Sequence, residues 1–116
     1  MKFSGYFLST SFSESYLTPI PDNFLLYQNY PNPFNPTTKI KFDIPNFTLM
    51  KGVGGMAVRL TIYDLLGRKV AILVNQKMQP GEYEFAWDGT NYPSGVYFYH
   101  LTTNDYTVTK KMVLIK

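Results

Sequence analysis

The chain has no cysteine, which excludes disulfide staples and thiolate metal sites. It has one histidine, His100, and therefore no imidazole pair from which to build a metal centre. Charged residues make up only 16% of the 116, with a net charge of +3. The eleven Lys and Arg are scattered, apart from the pairs Arg68-Lys69 and Lys110-Lys111. Without a clustered cationic stripe there is no phosphate-tracking surface, and nucleic acid is not the expected partner. No apolar run approaches the roughly 20 residues needed to cross a bilayer, so no transmembrane segment is expected. The N-terminus offers Lys2, but Ser4, Gly5, Ser9, Thr10 and Ser11 break any apolar leader core. On that ground the chain reads as the tail of something longer or as a truncated product.

Catalytic constellations are also missing from the pattern. The eight carboxylates are Glu14, Asp22, Asp43, Asp64, Glu82, Glu84, Asp88 and Asp105. Most fall at turns or on the polar side of strand-like runs, and nothing singles out a paired acid and base. There is no glycine-rich phosphate cradle and no nucleophile elbow. The expectation is a non-enzymatic protein with no metal and no cofactor.

What the chain does have is strand chemistry. Apolar residues reach 45%, with ten Tyr and nine Phe, and eight Gly and eight Pro punctuate them. Seven runs follow one another: residues 25–30, 39–44, 58–63, 69–74, 82–87, 95–102 and 106–115. In the second, Ile40, Phe42 and Ile44 alternate with Lys39, Lys41 and Asp43; in the third, Val58, Leu60 and Ile62 alternate with Arg59, Thr61 and Tyr63. With no amphipathic helix between them, these runs predict an all-β, immunoglobulin-like β-sandwich of about seven antiparallel strands, with a small barrel as the alternative. Residues 1–21 read as a linker or the remnant of a preceding domain, although Phe3, Tyr6, Phe7, Leu8 and Phe12 leave a strand open there. Residues 22–116 form the folded unit, and residues 48–55, with three glycines, read as a flexible connection.

Four signatures stand out, each made of turn chemistry joined to strands. Tyr30-Pro31-Asn32-Pro33-Phe34-Asn35-Pro36 sets prolines at alternate positions, which rules out a central strand. Tyr30 and Phe34 are expected to pin this corner to the core, and Asn32 and Asn35 to cap it by bonding nearby backbone. In Asp64-Leu65-Leu66-Gly67-Arg68, Asp64 closes a hairpin, Gly67 supplies a positive φ, and Arg68 pairs with Asp64 or lies across Tyr63. In Trp87-Asp88-Gly89 the indole is expected to anchor the core in preference to stacking on a sugar. Last come Gly95, Val96, Tyr97, Phe98 and Tyr99, and then Lys110, Lys111, Met112, Val113, Leu114, Ile115 and Lys116. These two runs lack alternation, and the second reads either as a plain last strand or as an edge strand awaiting a partner.

Together and in this order, these residues resemble the type A C-terminal sorting domain of the type IX secretion system found in Bacteroidetes and related bacteria. The likeness covers about residues 22–116, and the related immunoglobulin-like domain of flagellar hook-capping proteins is also similar. It implies a domain that folds in the periplasm and directs an N-terminal passenger, missing from this chain, through an outer-membrane translocon. A surface sortase then removes the domain, leaving the passenger at the cell surface or outside the cell. The residues expected to be read are Gly95, Tyr97 and Lys110, Lys111, Met112, Val113, Leu114, Ile115 and Lys116. Loss of residues 112–116 is expected to stop export and leave most of the sandwich intact. The alternatives are an adhesion module for carbohydrate or protein, betrayed by Trp87, Tyr97 or Tyr99 at the surface, and a structural spacer.

Overall fold

The computed structural model describes residues 21–46 and 55–116. The Ser/Thr-rich start and most of the glycine-rich connection, residues 1–20 and 47–54, lie outside the described residues, and so do the expectations placed on them.

The described residues form seven strands: β1 Leu25–Leu26, β2 Thr37–Ile44, β3 Met56–Asp64, β4 Lys69–Met78, β5 Gly81–Asp88, β6 Gly95–Thr102 and β7 Thr107–Leu114. They pair antiparallel in two sheets, one ordered β1-β2-β5 and the other β4-β3-β6-β7. In chain order this is A-B-E against D-C-F-G. The fold is the expected sandwich, with the fourth strand paired to the third where constant-type immunoglobulin domains pair it with the fifth.

Alternation decides which side of each strand meets the other sheet. Ile40, Phe42 and Ile44 from β2 face Val58, Leu60 and Ile62 from β3, and all six are buried. Tyr99 and Leu101 from β6 and Met112 and Leu114 from β7 complete the layer with almost no exposure. Phe42 stacks between Tyr83 and Phe85 of β5, with ring centroids 5.7 and 5.9 Å away. Burying this many large apolar side chains, at about 1.5–3 kcal/mol each, is what offsets the entropy of ordering the chain.

Two expectations fail at this level. The first run shrinks from residues 25–30 to Leu25–Leu26, because beyond it only Tyr27 and Tyr30 still bond the β2 backbone, before the chain leaves to cross the edge of the sandwich. Asp43, expected in solvent, is 6% exposed. It does point outward from β2, but Tyr27 covers it and donates its hydroxyl to Oδ2 at 2.6 Å. That donation is the main reason the Tyr27 hydroxyl is held above its ordinary pKa. Asp43 Oδ1 has no hydrogen-bond partner.

A candidate recognition pole

The four signatures are scattered in sequence, yet they meet at one end of the sandwich. Strand direction puts them there: the ends of β3, β5 and β7 and the starts of β2, β4 and β6 all lie at the same pole.

The proline corner is shaped in part by its own restraints. The peptide bonds before Pro31, Pro33 and Pro36 are all cis. Phe34 swings inward, is buried, and packs against Trp87 with ring centroids 5.8 Å apart. Its backbone then joins the last strand: Phe34 N–H donates to Val113 O, and Ile115 N–H donates to Phe34 O, both at 2.9 Å. Asn32 does not cap nearby backbone. Its Oδ1 accepts from Val113 N–H across 81 residues, at 3.1 Å. Gln28 Nε2 donates to Lys111 O at 2.8 Å. Two backbone and two side-chain bonds thus seal the outer edge of β7 from residue 111 to 115. Prolines cannot donate to a ladder, so side-chain amides do part of the work.

The local cap expected of Asn32 and Asn35 falls instead to Asn29. Asn29 is buried, donates Nδ2 to Pro31 O and Thr38 Oγ1, and gives its backbone N–H to Tyr99 Oη at 2.8 Å. The Tyr99 hydroxyl in turn donates a hydrogen bond to Tyr27 O at 2.8 Å. Burial pushes the Tyr99 hydroxyl pKa up to about 12. Tyr30, expected to pin the corner, is 80% exposed and held only through its backbone to Lys39. Sequence reasoning gave Asn29 and Thr38 no role; the usable signal was an Asn directly before a proline run, where unmet carbonyls need a donor.

The hairpin between β3 and β4 follows its sequence closely. Gly67 has φ +83, and Gly67 N–H donates to Asp64 O. Asp64 Oδ1 accepts from the N–H groups of Leu66 and Arg68, and Oδ2 accepts from Arg68 Nε at 2.8 Å. The Arg68 N–H, followed by its guanidinium, holds the Asp64 carboxyl below its ordinary range. The turn leaves Leu65 and Leu66 in solvent, 66% and 76% exposed.

Trp87 is 4% exposed and sits among Phe34, Tyr92 and Tyr97. The next residues lock the pole. Gly89 N–H donates to Pro36 O at 2.8 Å, and Asp88 accepts from Thr90. Lys116 reaches Thr90 O through Nζ and Ser94 Oγ through its backbone N–H. A Cβ on Gly89 would lie 3.0 Å from Leu114 and 3.3 Å from Pro36 O, so a larger residue there would push Leu114 or the corner back by a few tenths of an ångström. An open groove of about 470 Å³ lies between the hairpin and residues 92–97, lined by Leu66, Arg68, Val70, Tyr92 and Val96 among others.

Residues 28–116 match the family model described as the secretion system C-terminal sorting domain. The chain belongs to that family. None of the curated proteins compared matches the chain. The sorting domain carries a C-terminal signal of type IX secretion, which implies interaction with that machinery and delivery to the cell surface or beyond. Of the residues expected to be read, Tyr97, Met112 and Leu114 are buried in the domain, Gly95, Lys110 and Val113 are half-buried, and Lys111, Ile115 and Lys116 are exposed. Burial of Trp87, Tyr97 and Tyr99 removes the aromatic platform that the adhesion alternative had placed on them. Among the described residues, no group of three or more His, Asp or Glu could hold a metal ion, and no helix is long and apolar enough to cross a membrane.

Proposed function

We propose that residues 22–116 form an address read at the signature pole, directing an N-terminal passenger through the outer-membrane translocon of type IX secretion. The supporting observation is convergence. The corner, the Trp turn and residues 110–116 share no chemistry in sequence, yet they are hydrogen-bonded to one another at the end of the domain where the hairpin also stands.

Within that pole the residues divide by exposure. Met112, Leu114 and Tyr97 fix the last strand in the core, and Gly95 opens its partner strand. Lys111, Ile115 and Lys116, beside the half-buried Lys110 and Val113, offer the accessible surface that the translocon, and then the surface sortase, would contact. Sorting through the edge of β7 is not the favoured route, because the corner already occupies that edge from residue 111 to 115. Exposed side chains at the pole are.

The experiment is an export assay in a type IX-competent bacterium. The domain is placed behind a signal peptide and a fluorescent passenger, and passenger at the surface or in the medium is counted. Lys111→Glu with Lys116→Glu should stop delivery while the purified domain melts as wild type does. Undiminished delivery would sink the reading of this segment. An intact, folded domain that leaves its passenger in the periplasm would favour the structural spacer.

A further inference from the structure

The outer face of the four-stranded sheet carries a second pattern. Register places three rows across it: Lys69, Tyr63, Phe98 and Lys111; then Ile72, Thr61, His100 and Thr109; then Asn75, Arg59, Thr102 and Thr107. The centre is aromatic and half-buried. Tyr63 meets His100 edge-on at 6.2 Å, and His100 Nδ1 is 2.6 Å from Thr109 Oγ1. Thr61, on the same face, is fully covered by its neighbours. Tyr63, Phe98 and His100 line a hollow of about 280 Å³ under the hairpin, and exposed Leu65 and Ile72 border the rings.

Charge on this face has one sign. Arg59, Lys69, Lys77 and Lys111 stand on it, all exposed, and none of its outward strand positions bears Asp or Glu. The nearest turn carboxylate, Asp64, is already bonded to Arg68. The opposite face differs: Lys39 and Lys41 share it with Asp43, Glu82, Glu84 and Asp88. An aromatic centre free of acidic residues, with an arginine and a rim of lysines, is the composition of a protein-docking surface. The one carboxylate lining the hollow beside the rings, Asp64, is tied to Arg68 and not free to orient a sugar. Two copies facing each other through it would oppose like charges, which costs several kcal/mol. We infer that this face docks an acidic-rimmed, apolar-centred surface of a protein partner, a second surface that shares Lys111 with the pole.

The test measures binding of the full chain to outer-membrane vesicles from a type IX-competent strain. Three variants are compared: Arg59→Glu/Lys69→Glu, Phe98→Ser, and Lys39→Glu/Lys41→Glu, which makes the same charge change on the other face. The first should bind at least about tenfold more weakly and show a flatter salt dependence. The second should weaken binding with the salt dependence kept, and the third should bind as wild type, all three melting near wild type. Equal binding by the first and third variants, or no binding by wild type, would overturn the inference. Binding that survives protease treatment of the vesicles would also overturn it, by making lipid or polysaccharide the occupant. A wild-type dimer that Arg59→Glu/Lys69→Glu dissolves would do so by making it a second copy. The choice of vesicles rests on the sorting reading, but the outcomes separate. Failed export with charge-dependent binding retained would sink sorting alone, and export with no such binding would sink this face alone.

Discussion

Phe34 and Tyr99 show how much single side chains carry in this domain. Phe34 is the one residue of the proline corner that enters the core, and the indole of Trp87 rests against it. Phe34→Ala should leave a cavity that three prolines prevent the corner from filling, costing about 3–5 kcal/mol in urea unfolding. Tyr99 matters through its hydroxyl, which accepts from Asn29 and donates to Tyr27. Removing it in Tyr99→Phe strands a buried amide and should cost about 1–3 kcal/mol at neutral pH. The same group makes stability depend on alkali. The unfolded chain gives up this proton near the ordinary 10.0, whereas the folded protein holds it to about 12. The contribution is therefore full below pH 10 and lost as pH rises between those values. Unfolding measured across that window should fall less steeply for Tyr99→Phe than for wild type.

At the scale of elements, the hairpin and the corner behave oppositely. The hairpin is self-contained, with donors and acceptors all between residues 64 and 68. Because the Asp64 carboxyl is held below its ordinary 3.8, its contribution is present above that value and disappears as pH falls through the lower folded one. Asp64→Asn should lower the melting temperature at pH 7, and the gap should close in acid. The corner instead spends its polar groups on β7. Asn32→Ala removes the acceptor for the Val113 amide, and hydrogen exchange there should speed up about tenfold, the equivalent of about 1.4 kcal/mol. This contrast also explains what was legible in the sequence. β6 begins and ends where its pattern says, and the Asp64 turn does as its residues dictate, because both are decided locally. The exposure of Tyr30, the reach of Asn32, the cover over Asp43 and the role of Asn29 depend on residues many positions away. Local periodicity carries no information about such partners.

At the scale of the whole molecule, the expected independence of the last residues from the sandwich does not hold. Met112 and Leu114 have almost no exposure, and β7 is bonded on one side to β6 and on the other to the corner. Deleting residues 112–116 removes two fully buried side chains, at about 2–5 kcal/mol each, from a domain whose total stability is about 5–15 kcal/mol. Calorimetry of that deletion should show the cooperative transition lost or moved far down. An export failure of the deleted chain would then report unfolding as much as a missing signal, which is why exposed-lysine substitutions are the cleaner probe.

The seal between the corner and β7 has a consequence in time. Its bonds join groups 81 and 83 residues apart, so they can close only after nearly the whole domain is present. Closing so long a loop adds only modest entropy, about 0.6 kcal/mol for each doubling of length, but contacts this distant form late and slow the folding of β-rich chains. A polypeptide threading through a channel would show neither the finished pole nor a capped edge until its final residues had arrived. Under the sorting reading, only a chain complete through β7 carries the signal.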